Sequence, residues 1–434
     1  MLLAGQNGNS RALYDPYYGG FEPRVGAAWT PSDKWVVRGG FGIVQYMEGT
    51  GKNLRLPANP PFNFEGQRAF DVTTGAGTAA IGFDDVTPKT SGGPGTLYRI
   101  FAPDLRPQLT KQWNIFVERK LTDSLSGQMG YVGSRSSHMV VPYDFNQPEP
   151  DPGPVETWRP LAERRPLHAL NPDLDTQTSG TNSIGVGKYD ALQASLRQRP
   201  TDGLEFLASY TYGKALSDNV GYYGVGWGQT AVQGFYYMDT SDPLRDYGPS
   251  PYDVRHMFSL AANYELPFGR GQKHDLSGLA DVVLGGWHVN TILQARTGLA
   301  LTVTDSAGRS LQATRSNERP NRLCAGSTDA SGPDDIWLDI SCFAHAPTGQ
   351  FGDSGAGILH GPGYWNVDLG LSKDIHFGDS KYATVKIEAF NVFNHPNFAL
   401  GQDATNIGAP NSFGRVLNTF SAPRIVELVV KFIY

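Results

Sequence analysis

The C-terminal stretch Ala422-Pro-Arg-Ile-Val-Glu-Leu-Val-Val-Lys-Phe-Ile-Tyr434 decides the fold. Every second residue back from the end is apolar, and the residues between them include Lys431 and Glu427. This period of two predicts a β-strand, because successive side chains leave opposite faces of the pleat. A strand that is apolar on one face and partly charged on the other suits a sheet between lipid and water. It also suits the edge strand of a soluble sandwich.

The composition favours a β-rich protein. The chain of 434 residues contains 52 glycines, 12% aromatic residues and 39% apolar residues. No stretch approaches the ~18 consecutive apolar residues that a spanning helix needs. A membrane protein with this composition is therefore a β-barrel, since a closed sheet satisfies its own backbone. The net charge of −6 and the lack of a dense Lys/Arg run argue against nucleic acid as a partner.

Eleven segments repeat the alternation of the C-terminal stretch. We predict strands at 21–30, 35–46, 109–121, 125–141, 189–199, 204–212, 254–266, 287–304, 364–375, 382–394 and 422–434. Their connections alternate between short and long along the chain. Short periplasmic turns and long extracellular loops are typical of outer-membrane barrels. The predicted fold is therefore all-β, an antiparallel up-and-down transmembrane β-barrel.

The two faces of these strands carry different side chains. The polar residues that we predict to face the lumen are Arg38, Gln112, Asn114, Glu118, Arg197, Arg255, Glu265, Arg296, Asp368, Lys386 and Glu388. The aromatic residues that we predict to face the membrane, in interfacial girdles, are Trp35, Trp113, Tyr264, Trp287, Trp365, Phe432 and Tyr434. The alternative for the aromatic residues is packing in a core. For the charged residues it is ordinary solvation or mutual pairing.

The odd strand count predicts a partial barrel. Closing eleven antiparallel strands would pair the first and the last in parallel, whereas single-chain bacterial outer-membrane barrels have an even number of antiparallel strands. The segment 1–10 has no basic flank and no sustained apolar core, so it is not a secretory signal peptide. We therefore expect the natural N-terminus to lie upstream.

The only two cysteines, Cys324 and Cys342, lie 18 positions apart in a predicted loop. In an exported protein such a pair predicts a disulfide. A ring of this size would stabilise the fold by roughly 3 kcal/mol in the chain-entropy model. The alternative is two unpaired thiols in a cytosolic protein.

Motifs that suggest catalysis are weak here. Gly352-Asp-Ser-Gly355 looks like the nucleophile motif of trypsin-like proteases, with His345 and His360 nearby in sequence. A catalytic triad is recognised by geometry, and Gly, Asp and Ser are also ordinary turn residues. The nine histidines show no zinc-binding spacing, and no phosphate-binding Gly-rich loop occurs. We predict no catalytic site, no metal site and no cofactor.

Several short sequence motifs occur together in a specific order. They are Phe21-Glu-Pro-Arg-Val-Gly26, Tyr189-Asp-Ala-Leu-Gln193, Ser209-Tyr-Thr-Tyr-Gly-Lys-Ala215, Asp253-Val-Arg-His256, Glu265-Leu-Pro-Phe-Gly269, Gly285-Gly-Trp287, Gly361-Pro-Gly363, Asn366-Val-Asp368 and Glu388-Ala-Phe-Asn-Val-Phe-Asn-His395. Together they resemble the C-terminal barrel half of TonB-dependent outer-membrane receptors, in the Oar-like branch with a carboxypeptidase-regulatory-like N-terminal domain. The terminal aromatic Tyr434 also resembles the signal that the barrel-assembly machinery recognises in a C-terminal strand.

The resemblance implies a 22-stranded barrel, of which this chain supplies about half, with a plug in the lumen. Residues 1–434 would be the C-terminal portion of the barrel. The signal peptide, TonB box and plug domain would lie outside it, so TonB would be reached only through those missing regions. The implied function is uptake or export of an unidentified substrate across the outer membrane, in contact with its lipid. One alternative is an outer-membrane adhesin or structural barrel that binds ligands through its loops. A weaker one is a secreted β-rich binding module.

Overall fold

A computed structural model describes residues 15–47, 96–219, 236–312, 318–377 and 381–433, together with Gly8, Arg11 and Asn59. Eleven strands follow one another in a single antiparallel meander. They are β1 (Arg24–Ser32), β2 (Trp35–Tyr46), β3 (Gln108–Lys120), β4 (Leu125–Tyr143), β5 (Ser179–Thr201), β6 (Leu204–Ser217), β7 (His256–Glu265), β8 (Trp287–Arg296), β9 (Tyr364–His376), β10 (Tyr382–Phe390) and β11 (Ile425–Ile433). The all-β, antiparallel prediction is confirmed. Within the described residues β1 and β11 are the two free edges of an open sheet.

The remaining elements are short. Arg99–Phe101 pairs in parallel with β5, and Gly248–Pro249 pairs with β6. Three small two-stranded antiparallel sheets pair Ala300–Leu301 with Leu359–His360, Asn321–Arg322 with Phe343–Ala344, and Phe398–Leu400 with Val416–Thr419. The described helices are the α-helix Leu279–Leu284 and the 3-10 helices Val155–Thr157, Leu161–Arg164, Pro166–Ala169, Pro243–Asp246, Ile340–Cys342 and Gln402–Thr405.

The turn between β5 and β6 shows how local sequence sets the register. Asp202 and Gly203 both adopt positive φ, 50° and 78°, and Thr201 pairs with Leu204 across the turn. Two consecutive positive φ values are typical of a type I′ hairpin turn, for which Asp-Gly is a preferred sequence. A Cβ at position 203 would lie 2.4 Å from the carbonyl oxygen of Glu265. Glycine is therefore required there.

The strand bounds differ most from the prediction at β5 and β6, which are longer, and at β8 and β10, which are shorter. β5 begins at Ser179 instead of residue 189, where Ser, Gly and Asn hide the alternation. The added residues pair with the end of β4, and Val141 and Thr181 are fully buried in this extension. β6 likewise continues to Ser217, but β8 already ends at Arg296. The chain leaves the sheet at Gly298, whose backbone passes against the carbonyl group of Gly361.

The two ends of the sheet differ. One end carries the connections 33–34, 121–124, 202–203, 266–286 and 377–381. The other carries the segments 144–178, 218–255, 297–363 and 391–424, of which we call the described part the loop assembly. The main hydrophobic core lies in this assembly and joins Leu301, Val303, Leu338 and Phe343 to Leu400 and Phe413. The loops therefore form a packed unit of their own.

Candidate functional site: the polar face and the loop assembly

The register places ten of the eleven predicted lumen-facing residues on one face of the sheet. Residues directly opposite each other on neighbouring strands share a face. Following these pairs from β2 to β11 collects Arg38, Gln112, Asn114, Glu118, Arg197, Glu265, Arg296, Asp368, Lys386 and Glu388 on what we call the polar face. Arg255 lies one residue before β7. That this face borders a lumen stays a prediction.

Several charges of the polar face have partners within it. Arg38 lies 3.6 Å from Glu118 and also donates to Gln128, and Lys386 lies 2.6 Å from Glu388. These pairs match the alternative of mutual pairing. At the short-turn end, a groove of about 440 Å³ is lined by polar-face residues that include Glu205, Asn263, Glu265, His288 and Asn290.

Arg296 differs from the other charges of this face. It is the last residue of β8, next to the loop assembly. Its guanidinium carbon lies 5.4 Å from the ring centroid of Tyr364 and 5.9 Å from that of Phe420. Its Nη1 is buried and has no hydrogen-bond partner among the described residues. A cation that is held by two aromatic rings and has no carboxylate partner is suited to an incoming anionic group.

The opposite face, which we call the apolar face, carries six of the seven predicted membrane-facing aromatic residues. They are Trp35, Trp113, Tyr264, Trp287, Trp365 and Phe432. Tyr434 lies outside the described residues. Trp35 and Trp287 occupy the short-turn ends of β2 and β8, and Arg119 and Lys373 lie over their rings at 4.8 and 5.0 Å. Membrane exposure of these residues stays a prediction.

Two aromatic residues lie toward the loop end of the apolar face. Trp365 stacks on His395, with ring centroids 4.2 Å apart. The Trp113 ring lies against Gly133 on the neighbouring strand, where a Cβ would come within 2.6 Å of the indole. The glycine therefore makes room for the tryptophan to lie flat on the sheet.

Four cations that were not among the predicted site residues lie near one another on the apolar face. They are Lys111, Arg135, Lys188 and Lys214, and they lie on β3, β4, β5 and β6. Each lies on the same face of its strand as apolar residues of that strand. Their proximity follows only from the cross-strand register, which single-strand alternation does not give.

Buried ion pairs and hydrogen bonds link the segments of the loop assembly. Arg319 forms an ion pair with Asp246 and donates from Nη2 to the carbonyl oxygen of Arg245 at 2.8 Å. Arg164 donates to the carbonyl oxygen of Leu311 at 2.6 Å, and Gln147 donates to that of Met238 at 2.7 Å. These contacts join three different loops. They leave the assembly a defined surface above the sheet.

A disulfide joins Cys324 to Cys342 within this assembly, with the Cα atoms 4.8 Å apart. Cys342 belongs to the hydrophobic core of the loops, next to Phe343. The bridge therefore ties a chain segment with little regular structure to the packed centre of the loop assembly.

Asp218 anchors the chain where β6 enters the loops. Its carboxylate accepts the Val186 N–H at 2.8 Å and the Tyr237 hydroxyl at 3.1 Å. Burial raises the pKa of Asp218 to about 6, against the lowering effect of these hydrogen bonds. Burial and the Asp218 carboxylate also raise the pKa of Tyr237 well above its ordinary value. Tyr237 therefore acts as a neutral donor.

The protease-like motif is not assembled as a triad. The Ser354 Oγ is buried without a hydrogen-bond partner in the described structure. His345 instead contacts Asp305 at 2.8 Å. The motif serves the fold, because Arg319 Nε donates to the Ser354 carbonyl oxygen at 2.7 Å. Among the described residues, no group of three or more His, Cys, Asp or Glu side chains could hold a metal ion.

An antiparallel meander with one apolar and one polar face, and with loops at one end, has the architecture of a membrane β-barrel wall. Residues 1–427 match the model of the family described as "Outer membrane beta barrel domain", and the chain belongs to that family. This confirms the predicted outer-membrane location and barrel architecture. The described residues include no helix long and apolar enough to cross a membrane.

Solved structures similar to the chain include outer-membrane receptors and transporters. The ferric-catecholate import receptor Fiu from Escherichia coli K12 aligns with 95% of this chain at 11% identity and a TM-score of 0.41. The siderophore receptor PiuA from Acinetobacter baumannii aligns with 95% at 11% identity and a TM-score of 0.42. The transporter YddB from Escherichia coli aligns with 92% at 10% identity and a TM-score of 0.44. The chain covers 34%, 35% and 39% of these proteins, respectively. No curated protein sequence matches it.

Proposed function

We propose that this chain forms part of the barrel wall of a TonB-dependent outer-membrane receptor or transporter. The ordered set of sequence phrases and the membership in an outer-membrane barrel family support this proposal. The observation that carries it is the continuous division of eleven strands into one apolar and one polar face, beneath a packed loop assembly. Such a wall separates lipid from a polar passage and presents a defined receiving surface at one end.

In this proposal the apolar face contacts lipid and the polar face lines the lumen. The reverse orientation would put the charges of the polar face into hydrocarbon, at about 2–4 kcal/mol for each Arg or Lys near the bilayer midplane.

Membrane fractionation and cross-linking to TonB test this function with the full-length protein. We expect recovery in the outer-membrane fraction, extraction only with detergent, and cross-linking to TonB. Recovery in the soluble fraction would contradict the membrane proposal. An outer-membrane protein that never cross-links to TonB would instead support the adhesin alternative. That alternative draws on the same loop assembly, which could hold a ligand without transport.

We propose the half-buried Arg296 as the first ligand contact below the loops, because it lies beside two aromatic rings and forms no ion pair among the described residues. A hydrogen bond to a charged group contributes about 1.5–3 kcal/mol, or roughly 10- to 150-fold in affinity. Arg296→Gln should therefore lower uptake-dependent growth of a complemented deletion strain at limiting nutrient. Arg296→Lys should retain part of the growth. The control is Arg197→Gln, which removes an exposed arginine elsewhere on the polar face. Equal growth of all three variants would remove Arg296 from the ligand path.

A further inference from the structure

Four cations of the apolar face, Lys111, Arg135, Lys188 and Lys214, form a cluster, which we call the basic patch. Lys111 is directly opposite Arg135, and Arg135 is directly opposite Lys188. Lys214 lies opposite Asp190, which is two residues nearer the short turns than Lys188 on β5. Asp190 is the only carboxylate on this face of the fully described strands β3–β6. Four cations and one carboxylate leave the patch with a formal charge of +3.

The single carboxylate is fully engaged. Asp190 accepts from Arg135 at 3.2 Å, from Lys188 at 3.2 Å and from the Tyr131 hydroxyl. Lys111 and Lys214 are exposed and have no ion pair or hydrogen bond among the described residues. Like charges directly opposite each other on a sheet are destabilising. An anion from outside the chain would therefore relieve the patch.

The patch lies on the loop side of the aromatic residues Trp113, Tyr131 and Tyr212 of the apolar face. Two positions nearer the short turns, the same strands carry Trp113 on β3, Gly133 on β4, Asp190 on β5 and Tyr212 on β6. The next pair in that direction is Tyr131 with Leu192. Arg135 also lies over the Trp113 ring, 5.2 Å from its centroid. Aromatic girdles mark the level where the hydrocarbon meets the headgroups. Cations just beyond aromatic residues on a lipid-facing surface are placed at headgroup level.

We propose that the basic patch binds the phosphate groups of a glycolipid headgroup in the outer leaflet, with its acyl chains along the apolar face. This site rests on the outward orientation of the apolar face given above. The apolar surface continues directly below the patch, so a lipid would satisfy both the charges and the exposed side chains. A free anion would satisfy only the charges.

The test is binding of diphosphoryl lipid A to the full-length protein in nonionic detergent micelles. A cation near an anionic lipid surface contributes about 1 kcal/mol, equivalent to roughly fivefold in affinity. Lys111→Gln/Lys214→Gln should therefore bind about 25-fold more weakly than the native protein. Neither side chain takes part in an ion pair or hydrogen bond of the described structure, so the barrel should stay folded. The control variant is Lys34→Gln/Lys381→Gln, which removes two exposed lysines from the short turns and should bind as the native protein does.

Two further measurements separate the sources of phosphate. Lipid A from which the phosphates have been removed should bind the native protein at least as weakly as the patch variant binds the intact lipid. Excess inorganic phosphate should not displace bound lipid A. Unchanged affinity of the patch variant, or full displacement by inorganic phosphate, would overturn the assignment. A soluble full-length protein would overturn it together with the proposed function, whereas loss of lipid binding alone leaves the transporter proposal intact.

Discussion

The sheet and the loop assembly place their apolar side chains in opposite ways. On β11, Leu428 is 70% exposed, and Ile387 on β10 is 47% exposed. In the loops, Leu338 and Val303 are fully buried. Similar aliphatic residues thus face outward in one region and inward in the other. Exposed aliphatic side chains suit the surrounding hydrocarbon that we propose for the sheet, whereas buried ones suit loops that are surrounded by water, because apolar groups must be removed from water but not from hydrocarbon.

Charged residues show the opposite distribution, because they are accessible on the sheet and buried in the loops. The sheet keeps its pairs, such as Lys386 with Glu388, on an accessible polar face. The loops bury Arg319 with Asp246 and hold Arg319 further by backbone carbonyl groups. A buried cation is tolerated when its hydrogen bonds are satisfied. The loops therefore have the apolar core and the satisfied buried charges of a small folded domain.

The largest expected effect is on stability, and it distinguishes a buried leucine of the loop core from an exposed leucine of the loops. Leu338→Ala should destabilise the loop assembly by about 2–5 kcal/mol, because it leaves a cavity in a closed core. Leu244→Ala, at a loop position that is 65% exposed, should change stability by less than about 0.5 kcal/mol. Limited proteolysis of the detergent-solubilised full-length protein measures loop opening. Equal proteolysis of both variants would mean that the loops have no core of their own.

Introducing a charge on the sheet should lower stability nearly as much, but only on the apolar face. Ile387→Arg on the apolar face should destabilise the inserted protein by about 2–4 kcal/mol if it lies near the bilayer midplane. Ser259→Arg on the polar face of β7 should change stability by less than about 1 kcal/mol, since that side chain meets water. Denaturant titration of the protein in lipid vesicles measures both. Equal costs on the two faces would contradict the assignment of lipid to one of them.

The disulfide should act on the loops and not on the sheet. Cys324→Ser/Cys342→Ser removes a closure over 18 positions, which stabilises by about 3 kcal/mol in the chain-entropy model. We expect faster proteolysis of the loops and unchanged insertion of the strands into vesicles. Reduction of the native protein with a thiol should reproduce the loss. If reduction leaves the loops as resistant as before, the bridge contributes little to their packing.

The sheet could be predicted from the sequence almost completely. Alternation along each strand identified all eleven strands and assigned Trp113 and Gln112 to opposite faces, because the side-chain period of a strand is fixed. It underestimated β5 at Ser179–Lys188, since Ser, Gly and Asn carry no hydrophobic signal.

The loop assembly and the basic patch could not be predicted in this way. The burial of Leu338 and the contact of Asp218 with Tyr237 depend on tertiary packing between loops that no short-range period encodes. The basic patch needs the pairing of Lys111 with Arg135 and of Arg135 with Lys188, which is a property of the register between strands. Arg296 could be assigned to a face from the sequence, but its aromatic partner Phe420 could not.

The smallest expected effect is the pH dependence of the loops. Burial raises the pKa of Asp218 to about 6, above the value near 3.9 of an unfolded chain. The ionised form is therefore disfavoured in the folded loops, so this residue destabilises them above pH 6. The penalty disappears as the pH falls from 6 to 4, a gain of about 2 kcal/mol. Asp218→Asn should make the loops more stable at pH 7 and flatten this part of the pH profile.

The matched control for Asp218 is a carboxylate shifted in the other direction. Hydrogen bonds from Arg159 lower the pKa of Asp151 to about 2. Its stabilising contribution is complete above pH 4 and is lost only as the pH falls through 2, so Asp151→Asn should lower loop stability evenly between pH 4 and 7.5. Proteolysis rates across that range separate a change in slope from a uniform offset. A slope that persists in Asp218→Asn would mean that another group titrates in the loops.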